Sequence, residues 1–220
     1  MKDTFLAKFY TDGIFHVYNR TNNKEPLFAS DENRLYFLKQ YAIYIQPYVD
    51  TFCWCLLPNH FHFLIQVKDT AAIIQHLTGI DKHFLKPIQK KYLQHQADIT
   101  QLIELQFKRF FTSYSMAYNK QQNRSGNLFH RPFKRLEIKK DSHFTQAVIY
   151  IHANAQKHKI CSNFTEYKWS SWPSIISKKY TLLSREKLLD WFGGLQQCIE
   201  IHKSQTAYYY ATEIAIEEGD

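Results

Sequence analysis

The stretch LLPNHFHFLIQV, Leu56–Val67, holds two histidines one residue apart inside an otherwise apolar run. Alternate residues of a strand face opposite ways. His60 and His62 therefore share one face, while Phe61, Phe63, Ile65 and Val67 share the other. The second set is a core face. The first can bring two imidazoles to one divalent ion. The preceding run, VDTFCWCLL, is also apolar and β-rich, and Pro58-Asn59 separates the two. Two turn-forming residues between such runs predict a hairpin.

Outward from the hairpin, GIFHVYNRT (13–21) reads as a strand closed by a polar turn. Asp31 is placed to cap the next segment. There Leu35, Leu38, Ala42 and Ile45 recur at helical spacing, up to Pro47. Residues 69–97 are mixed and polar and carry no clear period. Asp98 with Gln101 fits a capping box. The helix it opens has an apolar stripe of Ile103, Phe107, Phe110, Phe111, Tyr114 and Tyr118, which reads as core, and it ends at the loop NRSG (123–126). FHRPFKRLEI (129–138) suggests a strand. Asp141 or Ser142 opens a further helix through HFTQAVIYIHANAQKH (143–158), and a short helix near REKLLDWFGG (185–194) stops at Gly193-Gly194.

The order β-α-β-β-α-β followed by a helix predicts an α+β, ferredoxin-like sandwich with an antiparallel sheet. We expect a domain over residues 1–175 and a tail with helical extension over 176–220.

The 220 residues suit such a domain. With 45% hydrophobic residues a core can form, and only six Gly and six Pro argue against a linker-rich chain. The formal net charge of +8 favours a polyanionic partner, for which nucleic acid is the commonest choice. Four unevenly spaced cysteines do not make a disulfide framework, no apolar leader opens the chain, and no run approaches the roughly 18 apolar residues of a membrane span. The expected home is a reducing cytoplasm, with no membrane partner.

Two histidines are half of a site. On the later helix, Phe144, Val148, Ile151 and Ala155 cluster on one side at 100° per residue. His143, Gln146, Tyr150, Asn154 and Lys157 lie opposite. Tyr150 and Asn154 are one turn apart there, so an amide oxygen suited to a metal would sit beside a phenol. His152 points elsewhere and reads as structural.

These motifs together resemble the single-tyrosine HUH endonucleases, in the branch of the REP-associated tyrosine transposases. LLPNHFHFLI resembles their MPNHxHxL core, and HVYNRTNNKEPLF their first strand and turn. SGNLFHRPFK resembles the stretch before their last strand, and YIHANAQKH their YIHxNPVKA helix. The four matches keep their order over roughly residues 13–175. The resemblance implies that His60, His62 and Asn154 bind Mg²⁺ or Mn²⁺, and that the helix beyond the last strand carries a nucleophile, Tyr150. It also implies cleavage of single-stranded or hairpin DNA through a 5′-phosphotyrosine, rejoining by a 3′-hydroxyl, and a bacterial, nucleoid-associated setting. Leu57 replaces the family's methionine, and Ala155 its proline, so the helix can run further here.

Arg20, Arg124, His130, Arg131, Lys134, Arg135 and Lys157 are the candidate DNA contacts. Several alternate with the rings of Phe129 and Phe133, which suits phosphates and unpaired bases. Two other readings stay open. One is a non-catalytic hairpin-DNA binder of the same fold. The other is a structural zinc module on Cys53, Cys55, His60 and His62. The sequence leaves open a monomer or a homodimer, and the role of the tail.

Overall fold

The computed structural model describes residues 5–211. The parts of the expected 1–175 and 176–220 units that fall at 1–4 and 212–220 lie outside the described residues. Four strands, β1 (Ile14–Arg20), β2 (Val49–Leu56), β3 (His60–Val67) and β4 (Lys134–Glu137), form one sheet in the order β2-β3-β1-β4. Every neighbouring pair is antiparallel. This is the ferredoxin-like arrangement that the element order predicted.

The hairpin forms as expected. Leu57 N–H donates to the His60 carbonyl at 2.8 Å across Pro58-Asn59, and Cys55 pairs with His62. A bulge lies between Thr51 and Cys53, and both Phe52 and Cys53 belong to the apolar cluster on the His62 side of the sheet.

One sheet face is aromatic core. Phe15, Val17, Phe61, Phe63, Ile65 and Val67 are fully buried there. They pack against helices α1 (Asp31–Tyr44) and α4 (Ile99–Gln121). Residues 69–97, which carried no legible period, contain the short helices α2 (Thr70–Thr78) and α3 (Pro87–Leu93). Asp69 caps α2 by accepting from the Ala72 amide, and proline sits in the first turn of α3.

Helix α4 matches its expectation. Asp98 and Gln101 form the capping box, and the stripe faces the core, with Phe111 at its edge. Helix α1 departs from expectation in two respects. Its cap is Ser30, not Asp31, and Ser30 pairs reciprocally with Asn33. Of the expected stripe, Ile45 at the C-cap is buried and Leu38 packs against the core, but the helix buries Phe37 and Tyr41 and leaves Leu35 60% exposed. The rings decide this. Tyr41 stacks on Phe63 at 4.1 Å, and Phe37 meets Phe61, Phe110 and Tyr114 at 4.7–5.2 Å. Large rings bury more apolar area than the aliphatic positions beside them.

The other sheet face is crossed by α5 (Asp141–Lys157), whose Phe144, Val148, Ile151 and Ala155 are buried as the stripe predicted. Behind it lie α6 (Trp172–Ile175), α7 (Arg185–Trp191) and α8 (Leu195–Ala211). His152 of α5 is buried and bonds the Ser171 hydroxyl through Nε2 and His202 of α8 through Nδ1, each at 2.9 Å. His202 Nδ1 bonds the Cys198 carbonyl oxygen at 2.7 Å. His152 is therefore a clamp between helices, in line with its structural reading. Among the described residues, no helix is long and apolar enough to cross a membrane.

This buried histidine pair makes stability depend on pH. Burial pushes His202 down to about 4, and burial with the neighbouring His202 pushes His152 well down. Both stay neutral in the folded chain while the unfolded chain takes up protons below its ordinary histidine value of about 6.5. Stability is thus full above that value and falls as pH drops towards 4. Urea unfolding should show a loss of roughly 2 kcal/mol between about pH 7.5 and about pH 5 from His202 alone. In His202→Gln that pH-dependent loss should shrink. An unchanged loss would mean the pair does not titrate in this way.

Candidate active site

Strand alternation puts His16, Tyr18 and Arg20 of β1, His60 and His62 of β3, and Lys134 of β4 on the sheet face that α5 crosses. His62 is fully buried and His60 is half-buried. Their rings are 5.2 Å apart at 87°. His60 Nδ1 bonds Asn59 Oδ1 at 2.7 Å, and His62 Nδ1 bonds His16 Nε2 at 2.9 Å. With both Nδ1 atoms hydrogen-bonded, a metal bound by these rings would be met through Nε2.

Helix α5 completes the constellation. The Tyr150 ring stands edge-on to His62, with centroids 5.7 Å apart at 90°. Two turns on, His158 meets His60 at 5.1 Å. Asn154 is midway between Tyr150 and His158, one turn from each, so helical geometry carries it between the two sheet histidines. Its side chain is fully buried, yet neither amide atom has a hydrogen-bond partner among the described residues. Buried amides are nearly always satisfied, so an unsatisfied one beside two imidazoles fits a metal ligand. Two imidazole nitrogens and an amide oxygen make a mixed N/O donor set without thiolate, one that a divalent ion such as Mn²⁺ can accept.

The zinc alternative does not assemble. Among the described residues, no group of three or more His, Cys, Asp and Glu side chains is arranged to hold a metal ion. Cys53 and Cys55 are fully buried in the apolar cluster under α5. Burial pushes both thiols up, away from the thiolate that zinc requires.

A cleft of about 530 Å³ opens on His60 and His62. Its other walls include Arg20, Lys24, His130, Arg131, Lys134 and His158. The segment 128–131 is fastened beside the end of β1. The His130 amide donates to the Arg20 carbonyl at 2.9 Å, and Asn19 Nδ2 donates to the His130 carbonyl at 3.1 Å. Lys157 sits over the Tyr150 ring, with Nζ 4.9 Å from its centroid. Neither Tyr150 nor Asn154 lines the cleft, and Tyr150 is only 3% exposed.

Arg20, His130, Arg131 and Lys134 thus converge on the cleft, and Lys157 on Tyr150. Two candidates stand apart. Arg124 is tied to Glu25 at 2.7 Å and to Asn119. Arg135 pairs with Val17, hence points to the opposite sheet face, where it is buried against Glu104, Phe9 and Phe133. Residues 130–132 also line a larger cleft of about 850 Å³ along α4, which His60 and His62 do not line.

Sequence reading passed over His16, Tyr18 and His158. Alternation along GIFHVYNRT would have found the first two, since they share a face with Arg20. His158 is one turn beyond Asn154, and continuing the same helix face would have reached it.

The sheet order and the helix over its histidine face define a ferredoxin-like sandwich with an added helix bearing a tyrosine. Among solved structures the chain is similar to a REP-associated tyrosine transposase bound to a REP hairpin, with 14% identity and a TM-score of 0.54. The match covers 83% of this chain and 90% of that one, and the two share their fold. No family model and no curated protein matches the chain.

The unsatisfied amide has a measurable consequence. Replacing Asn154 by leucine, of similar size, removes a buried amide that has no hydrogen-bond partner among the described residues. Without divalent metal, Asn154→Leu should be more stable than the wild type by about 1–2 kcal/mol in urea unfolding. Destabilisation would show that the amide is already satisfied within the protein.

Proposed function

We propose that the chain is a metal-dependent single-strand DNA endonuclease and strand transferase that acts on hairpin DNA of the REP type. The observation that carries this reading is the meeting of Tyr150 with His62 across the sheet–helix interface. The ordered motifs, the basic cleft and a shared fold with a transposase bound to a REP hairpin support it.

Each residue has a distinct job. The Tyr150 oxygen attacks the scissile phosphorus and loses its proton. The bond from phosphorus to the 3′-oxygen breaks, and that oxygen takes up, through solvent, the equivalent of the proton the phenol released and leaves as a 3′-hydroxyl. The 5′-phosphate stays on tyrosine, so the bond energy is kept for rejoining. Lys157 places a positive charge beside the phenol as it becomes negative. His60, His62 and Asn154 would hold Mg²⁺ or Mn²⁺, which when bound polarises the phosphate. Arg20, His130, Arg131 and Lys134 seat the strand by its phosphates. Because Tyr150 is buried beside His62, its side chain or α5 must turn towards the cleft as DNA binds.

The burial of Tyr150 favours one alternative, a hairpin binder that does not cleave. One assay separates the two. Single-stranded and hairpin oligonucleotides are incubated with the protein and Mg²⁺ or Mn²⁺, and adducts are resolved on denaturing gels. We expect a covalent adduct for the wild type. Tyr150→Phe should lose it completely while keeping its DNA affinity within about twofold, because the hydroxyl is the only group removed. Binding without any adduct in either metal would establish the non-cleaving reading, and an adduct in the Phe variant would displace Tyr150 as nucleophile.

A further inference from the structure

We infer that His16 is a positioning residue: it fixes the tautomer of His62, and so the nitrogen that His62 presents to a divalent cation. The inference rests on the proposed metal site and deepens it.

The geometry is specific. His16 is fully buried on β1, opposite Leu64 and diagonal to His62. Its Nε2 lies 2.9 Å from His62 Nδ1. It also stacks on Tyr18 at 4.9 Å and meets the Tyr150 ring at 6.1 Å. The ring is held from three sides at the junction of metal ligand and nucleophile.

A neutral imidazole has one N–H and one lone pair. If His62 offers the Nε2 lone pair to a metal, its proton must be on Nδ1. That proton then points at His16 Nε2, which accepts it, and His16 carries its own proton on Nδ1. The reverse arrangement, with His16 Nε2 donating, puts the His62 proton on Nε2 and closes that nitrogen to a metal. The pair therefore has two states, and the one in which His16 accepts is the one that leaves His62 Nε2 open to a metal. Metal-bound histidines usually have a carboxylate or carbonyl on the far nitrogen. Here an imidazole takes that place, as the Asn59 oxygen does for His60.

The test uses Mn²⁺ alone as the probe, with no DNA and no turnover. His16→Phe keeps a ring in the site and removes the acceptor, while His16→Gln restores an acceptor oxygen. Mn²⁺ affinity, measured by electron paramagnetic resonance of the free ion, should fall about 10–100-fold in the Phe variant and recover most of that loss in the Gln variant. Nitrogen-15 spectra of the imidazoles supply a second readout in metal-free protein. His62 should move to the Nε2–H form in His16→Phe and regain Nδ1–H character in His16→Gln.

Unchanged Mn²⁺ affinity in a folded Phe variant would overturn the inference. Equal loss in the two variants would also overturn it, because packing rather than the hydrogen bond would be responsible. Should the Phe variant fail to fold, the Gln variant decides: wild-type affinity with Nδ1–H on His62 supports the role, and loss of either refutes it. A wild type that binds no Mn²⁺ would instead remove the metal reading itself, and this inference with it.

Discussion

Strand β3 is covered on both faces, and everything chemical in this molecule depends on which residues face which way. A slip of one residue would send His60 and His62 into the aromatic core and turn Phe61 and Phe63 under α5. Two devices fix the register. At the turn, the Leu27 amide donates to the Pro58 carbonyl at 2.7 Å, and the Thr21 amide to the Asn59 carbonyl at 2.9 Å. The turn is thereby fastened to a neighbouring loop rather than left to its own preference. In the middle, Phe63 lies flat on Tyr41, with the rings 3° from parallel, and that contact exists in one register alone. The core face thus sets the position of the site face, because the two are the same strand.

Helix α5 shows how one element serves three environments. At 100° per residue, Tyr150 and His152 point about 200° apart, on nearly opposite sides. The apolar stripe takes the sheet, His152 takes α8, and Tyr150 with Asn154 takes the histidine face. All residues from Ala147 to Ala155 are buried as a result. The two polar sides are treated differently. The His152 side ends in a complete chain of hydrogen bonds through Ser171, His202 and Cys198, and such a chain rigidifies. On the Asn154 side, neither amide atom has a hydrogen-bond partner among the described residues. One helix thus carries a completed network on one side and, on the other, an amide without a hydrogen-bond partner among the described residues.

Much of this was legible in the sequence because it rests on periodicity. The hairpin, the α4 stripe and cap, the α5 stripe and the shared face of His60 and His62 all follow from spacings of two or 3.6. What escaped was set by tertiary competition. In α1, Leu35 and Phe37 were both eligible for the core, and only the rings waiting on α4 and β3 decided for Phe37. The cap went to Ser30 because Asn33 is there to reciprocate, while Asp31 bonds the Trp169 indole and the Lys168 ammonium. Helices α2 and α3 were hidden by their brevity, since nine and seven residues display barely two turns of pattern. His16 was hidden differently: its partner is 46 residues away, and no local spacing records that.

Charge shows the limit of composition most clearly. A net charge of +8 says that a polyanion is welcome but not where. Lys134 and Arg135 are neighbours in sequence and equal in charge. Alternation along β4 sends Lys134 to the side of Tyr18, His62 and the cleft, and Arg135 to the other side, where Glu104 meets it. A buried guanidinium paired with a carboxylate contributes little field to a groove on the far side of a sheet, and the Glu25 pairing removes Arg124 in the same way. The cations that line the cleft itself are Arg20, Lys24, Arg131 and Lys134. These four cations come from β1, the turn after it, the loop before β4, and β4 itself. They converge because β1 and β4 are neighbours in a ferredoxin-like sheet, so the same topology that puts His62 beside His16 puts positive charge beside them both.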